Sequence, residues 1–210
     1  MLLALFLKGI VVGIVIAVPV GPVGVMCVRR TIFEGKLAGF VSGLGAATAD
    51  AIFGIIAAFG LTAVSDWLMS YQHWLRAAGG CYLLYIGSRA FAAEPPSELE
   101  SEQDPESLLR DFVSTFVLAV TNPITVLAFL GIFTAIGFGG TQATYGGASI
   151  LVLGVWSGSL LWWLILSFGV GRVRHSIEPR HLGWISRGSG AILFASGGAL
   201  LVTLVVDYLL

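Results

Sequence analysis

Apolar residues fall in six long runs broken by short polar stretches. A helix crosses the hydrocarbon core of a bilayer in about 20 residues. The runs at 3–28, 37–62, 75–93, 112–137, 148–171 and 182–208 are near that length and predict six transmembrane helices. Residues 94–111 break the pattern. They carry seven of the chain's twelve acids, Glu94, Glu98, Glu100, Glu102, Asp104, Glu106 and Asp111, together with Pro95, Pro96 and Pro105. Such a run cannot bury itself, so it reads as a solvated linker between residues 1–93 and residues 112–210. The first 25 residues hold one cation, Lys8, and lack a convincing small-residue cleavage site. They read as a first span rather than a signal peptide.

The two halves are similar. Ala17-Val18-Pro19-Val20-Gly21-Pro22 in span one has a counterpart in Ala119-Val120-Thr121-Asn122-Pro123 in span four. Gly45 and Phe59-Gly60 keep the spacing of Gly154 and Phe168-Gly169, offset by 109. Gly80, Leu83 and Gly87 match Gly190, Leu193 and Gly197, offset by 110. A repeat of three spans must re-enter the membrane from the opposite face. The fold expected is therefore an all-α integral membrane protein of six transmembrane helices, built as two inverted three-helix repeats, an architecture of secondary transporters.

Composition removes other classes. Apolar residues make up 57% and charged residues 11%, against about 25% charged in soluble domains, and mean hydropathy is +0.93. A soluble enzyme of this size could not hide that surface. Net charge is −1 with no basic patch, which argues against a nucleic-acid partner. The 28 glycines suit close helix packing, within the chain or in a homodimer through spans three and six. Cationic residues set orientation. Arg29, Arg30, Lys36, Arg89, Arg110, Arg172, Arg174, Arg180 and Arg187 fall on one side of a six-span arrangement, and Lys8 and Arg76 on the other. Both termini are then outside the cytoplasm and the acidic linker inside.

Several residues could carry chemistry. Pro19, Gly21 and Pro22 break span one, and Asn122-Pro123 breaks span four. Freed backbone groups at membrane depth are tolerated only in protein or along a cavity, and paired breaks point to a transport site. Half-helix N-termini there would offer N–H groups to a carboxylate. Asp50 lies near the middle of span two, where a charge costs about 3 kcal/mol or more. It could bind a substrate ammonium or carry a coupling proton. Its helix face is otherwise small (Gly39, Gly43, Ala47 and Gly54), so it should point into the bundle. Ser159 takes the place of Asp50 in the repeat. Ser157, Thr48, Thr121 and Trp163 are weaker cavity candidates, and Trp67, Trp74 and Trp184 read as interfacial anchors. Arg29 and Arg30 read as topology signals or a cytoplasmic gate.

Pro19-Val20-Gly21-Pro22, Gly43-Leu44-Gly45 with Asp50, Leu83-Leu84-Tyr85-Ile86-Gly87 and Asn122-Pro123 stand in an order that resembles the LysE/RhtB superfamily of amino-acid exporters. The resemblance covers essentially the whole chain. It implies amino-acid efflux, driven by proton antiport, across a bacterial inner membrane. Two positions depart from the family pattern: Val20 stands in a Pro-Gly-Pro segment, and Ile124 replaces the lysine of Asn-Pro-Lys. On this reading an amino acid sits between the broken helices, and protonation of Asp50 weakens ammonium binding to release it outside. No cofactor is expected. Export of a metal cation finds no ligand cluster, since no HxxxH pattern is present. A thiol–disulfide conduit would need Cys27 and Cys81 to meet, and they lie far apart in the sequence.

Overall fold

A computed structural model describes residues 2–18, 21–59, 70–92, 104–122, 125, 129, 145–177 and 179–209. Among these residues the regular structure is helical, without a strand. The helices are α1 (Leu2–Ala17), α2 (Pro22–Phe33), α3 (Lys36–Ala58), α4 (Gln72–Ala92), α5 (Pro105–Val120), α6 (Tyr145–Val173) and α7 (Pro179–Leu209).

The break expected in span one is present. α1 stops at Ala17, and α2 starts at Pro22 behind an extended Gly21. Proline suits a first helical position because its missing N–H would have no partner there. The two helices meet at 83°. Pro19 itself lies outside the described residues, as do Pro123, Ile124 and Trp67.

The start of α5 corrects the linker boundary. Asp104 caps this helix, its Oδ1 accepting from the Ser107 amide at 2.6 Å. Pro105 and Glu106 complete the first turn. Residues 105–111, expected to be solvated linker, are therefore helical, and Asp111 is buried. Residues 94–103 lie outside the described residues.

Among the described residues, three helical segments are long and apolar enough to cross a membrane: Lys36–Ala58, Tyr145–Val173 and His181–Val206. The bent pair α1–α2 makes a fourth if it is one span. α4 has 21 residues but carries Arg76 and Arg89, and α5 has 16. Beyond Asn122, only Thr125 and Phe129 of the fourth expected span are described. The chain is a multi-pass membrane protein.

Close glycine contacts fix the packing. Gly9 and Gly13 of α1 press on the backbone of α6 near Gly154 and Ser159, in ascending register, so these helices run parallel. Gly45 of α3 presses on the backbone of α5 at Phe112, and Ala49 and Ala119 share a cluster further along, again parallel. α4 and α7 run antiparallel, with Gly80 against Gly197 and Gly87 against Gly190. α3 and α6 are antiparallel too, with Gly43 on Trp163 and Gly54 on Val152. Gly80, Gly87, Gly190 and Gly197 of spans three and six are thus occupied inside the chain.

Candidate functional site

The start of α2 and the end of α5 face one cavity. Its volume is about 520 Å³, and it is bounded by α2, α4, α5 and α7, within the usual range for small-molecule sites. Pro22, Thr121 and Asn122 line it at the helix ends. Val23, Leu83, Leu118 and Leu200 supply apolar wall. Ser196 and Thr203 of α7 and Arg76 of α4 supply further polar groups. Gly79 allows α4 to approach Thr121, a Cβ there lying 2.9 Å from its Oγ1. Arg76 lies one turn earlier on the same face.

The two helix ends differ in sign. α2 presents its N-terminus, where Gly21 gives no side-chain cap, so the end carries partial positive charge. α5 presents its C-terminus, where Thr121 and Asn122 turn back onto the carbonyls of Val117, Leu118 and Ala119. That end is partially negative. Asn122 follows this carbonyl end, and its own carbonyl accepts from the Thr125 amide at 3.2 Å.

An apolar layer closes the cavity on one side. Met26, Leu83, Leu118 and Leu193 form one buried cluster from four helices. Met26 is one turn beyond the cavity on α2, and Arg30 is one turn further. Arg30 is buried. Its Nε pairs with Asp111 Oδ1 at 3.1 Å. Its Nη1 donates to Ser42 Oγ at 2.9 Å, to the Asp111 carbonyl at 3.0 Å and to Thr115 Oγ1 at 2.8 Å. Its Nη2 donates to Ser114 Oγ at 2.7 Å. One guanidinium thus ties α2, α3 and α5 together. Glu34, in the α2–α3 turn, hydrogen-bonds Asp111. Burial, and then the Asp111 charge, push the Glu34 carboxyl up to about 7. In its protonated form Glu34 donates to Asp111.

Asp50 and Ser159 are brought together, but apart from this cavity. Ser159 Oγ donates to Asp50 Oδ2 at 2.7 Å, across 109 positions of sequence. Both are buried, and neither is among the cavity-lining residues. Gly39, Gly43, Ala47 and Gly54 are buried beside Asp50, as its small face required. Trp163 and Ser167 follow Ser159 at one-turn intervals on α6. Trp163 Nε1 and Ser167 Oγ are buried without a protein hydrogen-bond partner.

Other candidates take local roles. Ser157 and Thr48 bond their own helices at Leu153 and Leu44. Trp74 and Trp184 are exposed. Cys27 is buried and Cys81 exposed. No group of three potential metal ligands occurs among the described residues.

Arg76, Asp111 and the inward role of Arg30 were not anticipated. Asp104-Pro105-Glu106-Ser107, a helix-start signature before an apolar run, was the signal available for Asp111.

A family model described as LysE type translocator matches residues 14–204. The chain is 27% identical over 198 residues to the "Putative amino acid efflux protein YcgF" of Bacillus subtilis (strain 168), covering 92% of this chain and 93% of that one. It is 28% identical over 109 residues to the "Uncharacterized membrane protein YahN" of Escherichia coli (strain K12), covering 51% and 49%. No solved structure matches the chain.

Proposed function

The chain belongs to the LysE type translocator family, and we propose that it is a secondary exporter of amino acids, coupled to protons, in a bacterial inner membrane. The observation that carries this reading is the cavity between the ends of α2 and α5, closed at one side by an apolar layer and the Arg30 cluster. A family relative of nearly equal length, named for amino-acid efflux, supports the substrate class.

The proposed architecture is six spans in two inverted repeats, residues 1–93 and 112–210. Helix directions agree with it: helices two or four spans apart run parallel, and α4–α7 and α3–α6 run antiparallel. Contacts also exchange under the repeat offset. Gly43 on Trp163 becomes Gly54 on Val152 when 109 is added or subtracted. Asp50–Ser159 maps onto itself. A pseudo-twofold axis requires such reciprocity, and such halves can exchange roles to alternate access.

In the proposed cycle, the substrate carboxylate faces the start of α2 and its ammonium faces the carbonyl end of α5. Gly21, Pro22 and Asn122 stand at those ends, and the sequence adds Pro19 and Pro123 to the proposed site. Asp50 takes the proton role, because it sits on the α3–α6 seam rather than at the cavity. Protonation changes its bond to Ser159 and so biases the seam. Trp163 and Ser167 extend a line of polar groups from that pair toward the arginine-rich end.

The test is efflux of a panel of labelled amino acids from loaded cells, with and without a proton gradient. Gradient-dependent efflux by the parent, with loss of gradient dependence in Asp50→Asn, is the expected result. Unchanged rate and pH dependence in Asp50→Asn would remove Asp50 from coupling. No efflux of any amino acid from folded protein would refute the substrate class.

A further inference from the structure

Two polar atoms stay unmatched inside the α3–α6 seam. Trp163 and Ser167 are buried, and neither the Trp163 Nε1 nor the Ser167 Oγ has a hydrogen-bond partner among the described residues. Both atoms are fully covered. A donor buried in this way is costly, and native proteins meet it with protein or with an ordered water. The two are not scattered. Ser159, Trp163 and Ser167 stand one turn apart on one face of α6. Ser159 begins the row by donating to Asp50 Oδ2 at 2.7 Å.

We propose that the half of the α3–α6 seam from Asp50 to Ser167 is the proton-release path, shut in this conformation and hydrated when the arginine-rich side opens. The inference rests on the proton-coupling reading above and supplies its route. Parting the seam lets water reach both unmatched groups, so their cost is lifted only in the open form. The facing surface of α3 is small: Gly43 lies against Trp163, and Ala46 and Ala47 share its cluster. One turn beyond Ser167, Gly171 meets Lys36 at the start of α3, where the seam ends.

The chemistry divides between the two side chains. An indole N–H only donates, so Trp163 holds a water by its oxygen. A hydroxyl donates and accepts, so Ser167 relays. The proton leaves the Asp50 carboxyl for one water, each water hands its own to the next, and the last goes to cytoplasmic water. Asp50 remains as a carboxylate that still accepts from Ser159. Neighbouring elements bring few ionisable groups among the described residues. α1 brings Gly13 to the Ser159 amide nitrogen. α5 brings Ala119 and α2 brings Cys27 into the Trp163 cluster, and Arg30 and Asp111 act on Cys27 from the clamp. At the end of the route stand Lys36, its Nζ 5.4 Å from the Phe168 ring centre, and Arg174 beside Gly35. Their charge opposes protons at the mouth and favours release.

The experiment uses the full chain in proteoliposomes with labelled leucine, threonine, lysine and glutamate in turn. Net efflux driven by a proton gradient is compared with exchange of the same amino acid at equal pH. Net efflux needs the proton released in each cycle, and exchange does not. Ser167→Ala and Trp163→Phe should lower the ratio of net efflux to exchange about tenfold, the rate equivalent of one hydrogen bond. Ser167→Gly leaves room for a water in place of the hydroxyl, so its ratio should stay closer to that of the parent. X-ray radiolysis, which oxidises side chains that touch water, should mark Trp163 in exchanging vesicles more than in substrate-free ones. That measurement needs no variant, so a folding defect cannot decide the matter.

Trp163 unmarked in both conditions overturns the proposal. So does a Ser167→Ala variant in which net efflux and exchange fall together or neither falls. Ser167→Gly falling as far as Ser167→Ala would overturn the water relay at that position. In each of those cases an amino acid is still exchanged and the exporter reading stands. Net efflux that ignores the gradient in the parent removes the coupling reading, and no exchange of any of the four removes the exporter reading; this inference falls with either.

Discussion

Arg30 makes five polar contacts from inside the bundle, to side chains and a carbonyl on α3 and α5. Removing it leaves Asp111 buried without its cation. Breaking such a pair costs about 3–5 kcal/mol, whereas replacing both partners by apolar groups is often nearly neutral. Arg30→Met should therefore lower stability in detergent by that amount. Arg30→Met combined with Asp111→Leu should regain most of it, and thermal unfolding of the three proteins checks both statements. The same cluster makes stability depend on pH. Glu34 has an ordinary value of 4.5 and titrates at about 7 in the folded chain, in the company of Asp111, Arg30 and Arg29. The folded state holds the extra proton between those values. Its contribution is fully present below pH 4.5 and is lost as pH rises through about 7. The parent should lose stability across that window, and Glu34→Gln should lose less. None of this cluster was legible from composition. Counting cations assigns Arg29 and Arg30 to one side of the membrane, but adjacent helix positions point in different directions, and only packing decides which turns inward.

Helices form here where the sequence is uniformly apolar, and they approach where it is glycine. The break in span one was legible because proline removes a backbone donor whatever surrounds it. The register of α4 on α7 was partly legible, since Gly80, Gly87, Gly190 and Gly197 recur at matched spacing. What they meet was not legible, because a glycine stripe serves equally inside a chain or between chains. A Cβ at Gly87 would lie 2.5 Å from the Phe194 amide nitrogen and 2.8 Å from the Gly190 carbonyl oxygen. Backbone cannot move aside cheaply, so Gly87→Val should cost about 1–3 kcal/mol by overpacking. Gly198 lies in the same helix pair with nothing within 4 Å of an added Cβ. Gly198→Ala should be neutral or stabilising by up to about 1 kcal/mol, as alanine is the better helix former. Equal loss in both variants would show that the seam responds to side-chain volume in general rather than to these contacts. The first turn of α5 escaped the sequence reading for another reason. Seven acids in a run look like solvated linker until the Asp104 cap is weighed against them.

At the scale of the whole molecule, α2 and α5 run from cavity to closure in opposite senses. α2 passes Pro22 at the cavity, Met26 at the apolar layer and Arg30 at the cluster, while α5 passes Asp111, Leu118 and Asn122 in reverse order. Closure is therefore double on the arginine-rich side, with a polar clamp behind an apolar layer. The proposed orientation places that side in the cytoplasm, so this conformation should admit solutes from outside only. Cysteine accessibility tests it in intact cells. Exposed Cys81 is first replaced by serine, and buried Cys27 can stay. Ser196→Cys, at the cavity, should react with a membrane-impermeant maleimide added outside. Thr115→Cys, at a position with 0% exposure beside Arg30, should not. Raising the internal pH above about 7 deprotonates Glu34 and puts a second anion against Asp111, so Thr115→Cys should then become reactive from the cytoplasmic face. Labelling of Ser196→Cys from the cytoplasm alone would invert the orientation. Labelling of Thr115→Cys that ignores pH and persists in Glu34→Gln would separate the clamp from the gate.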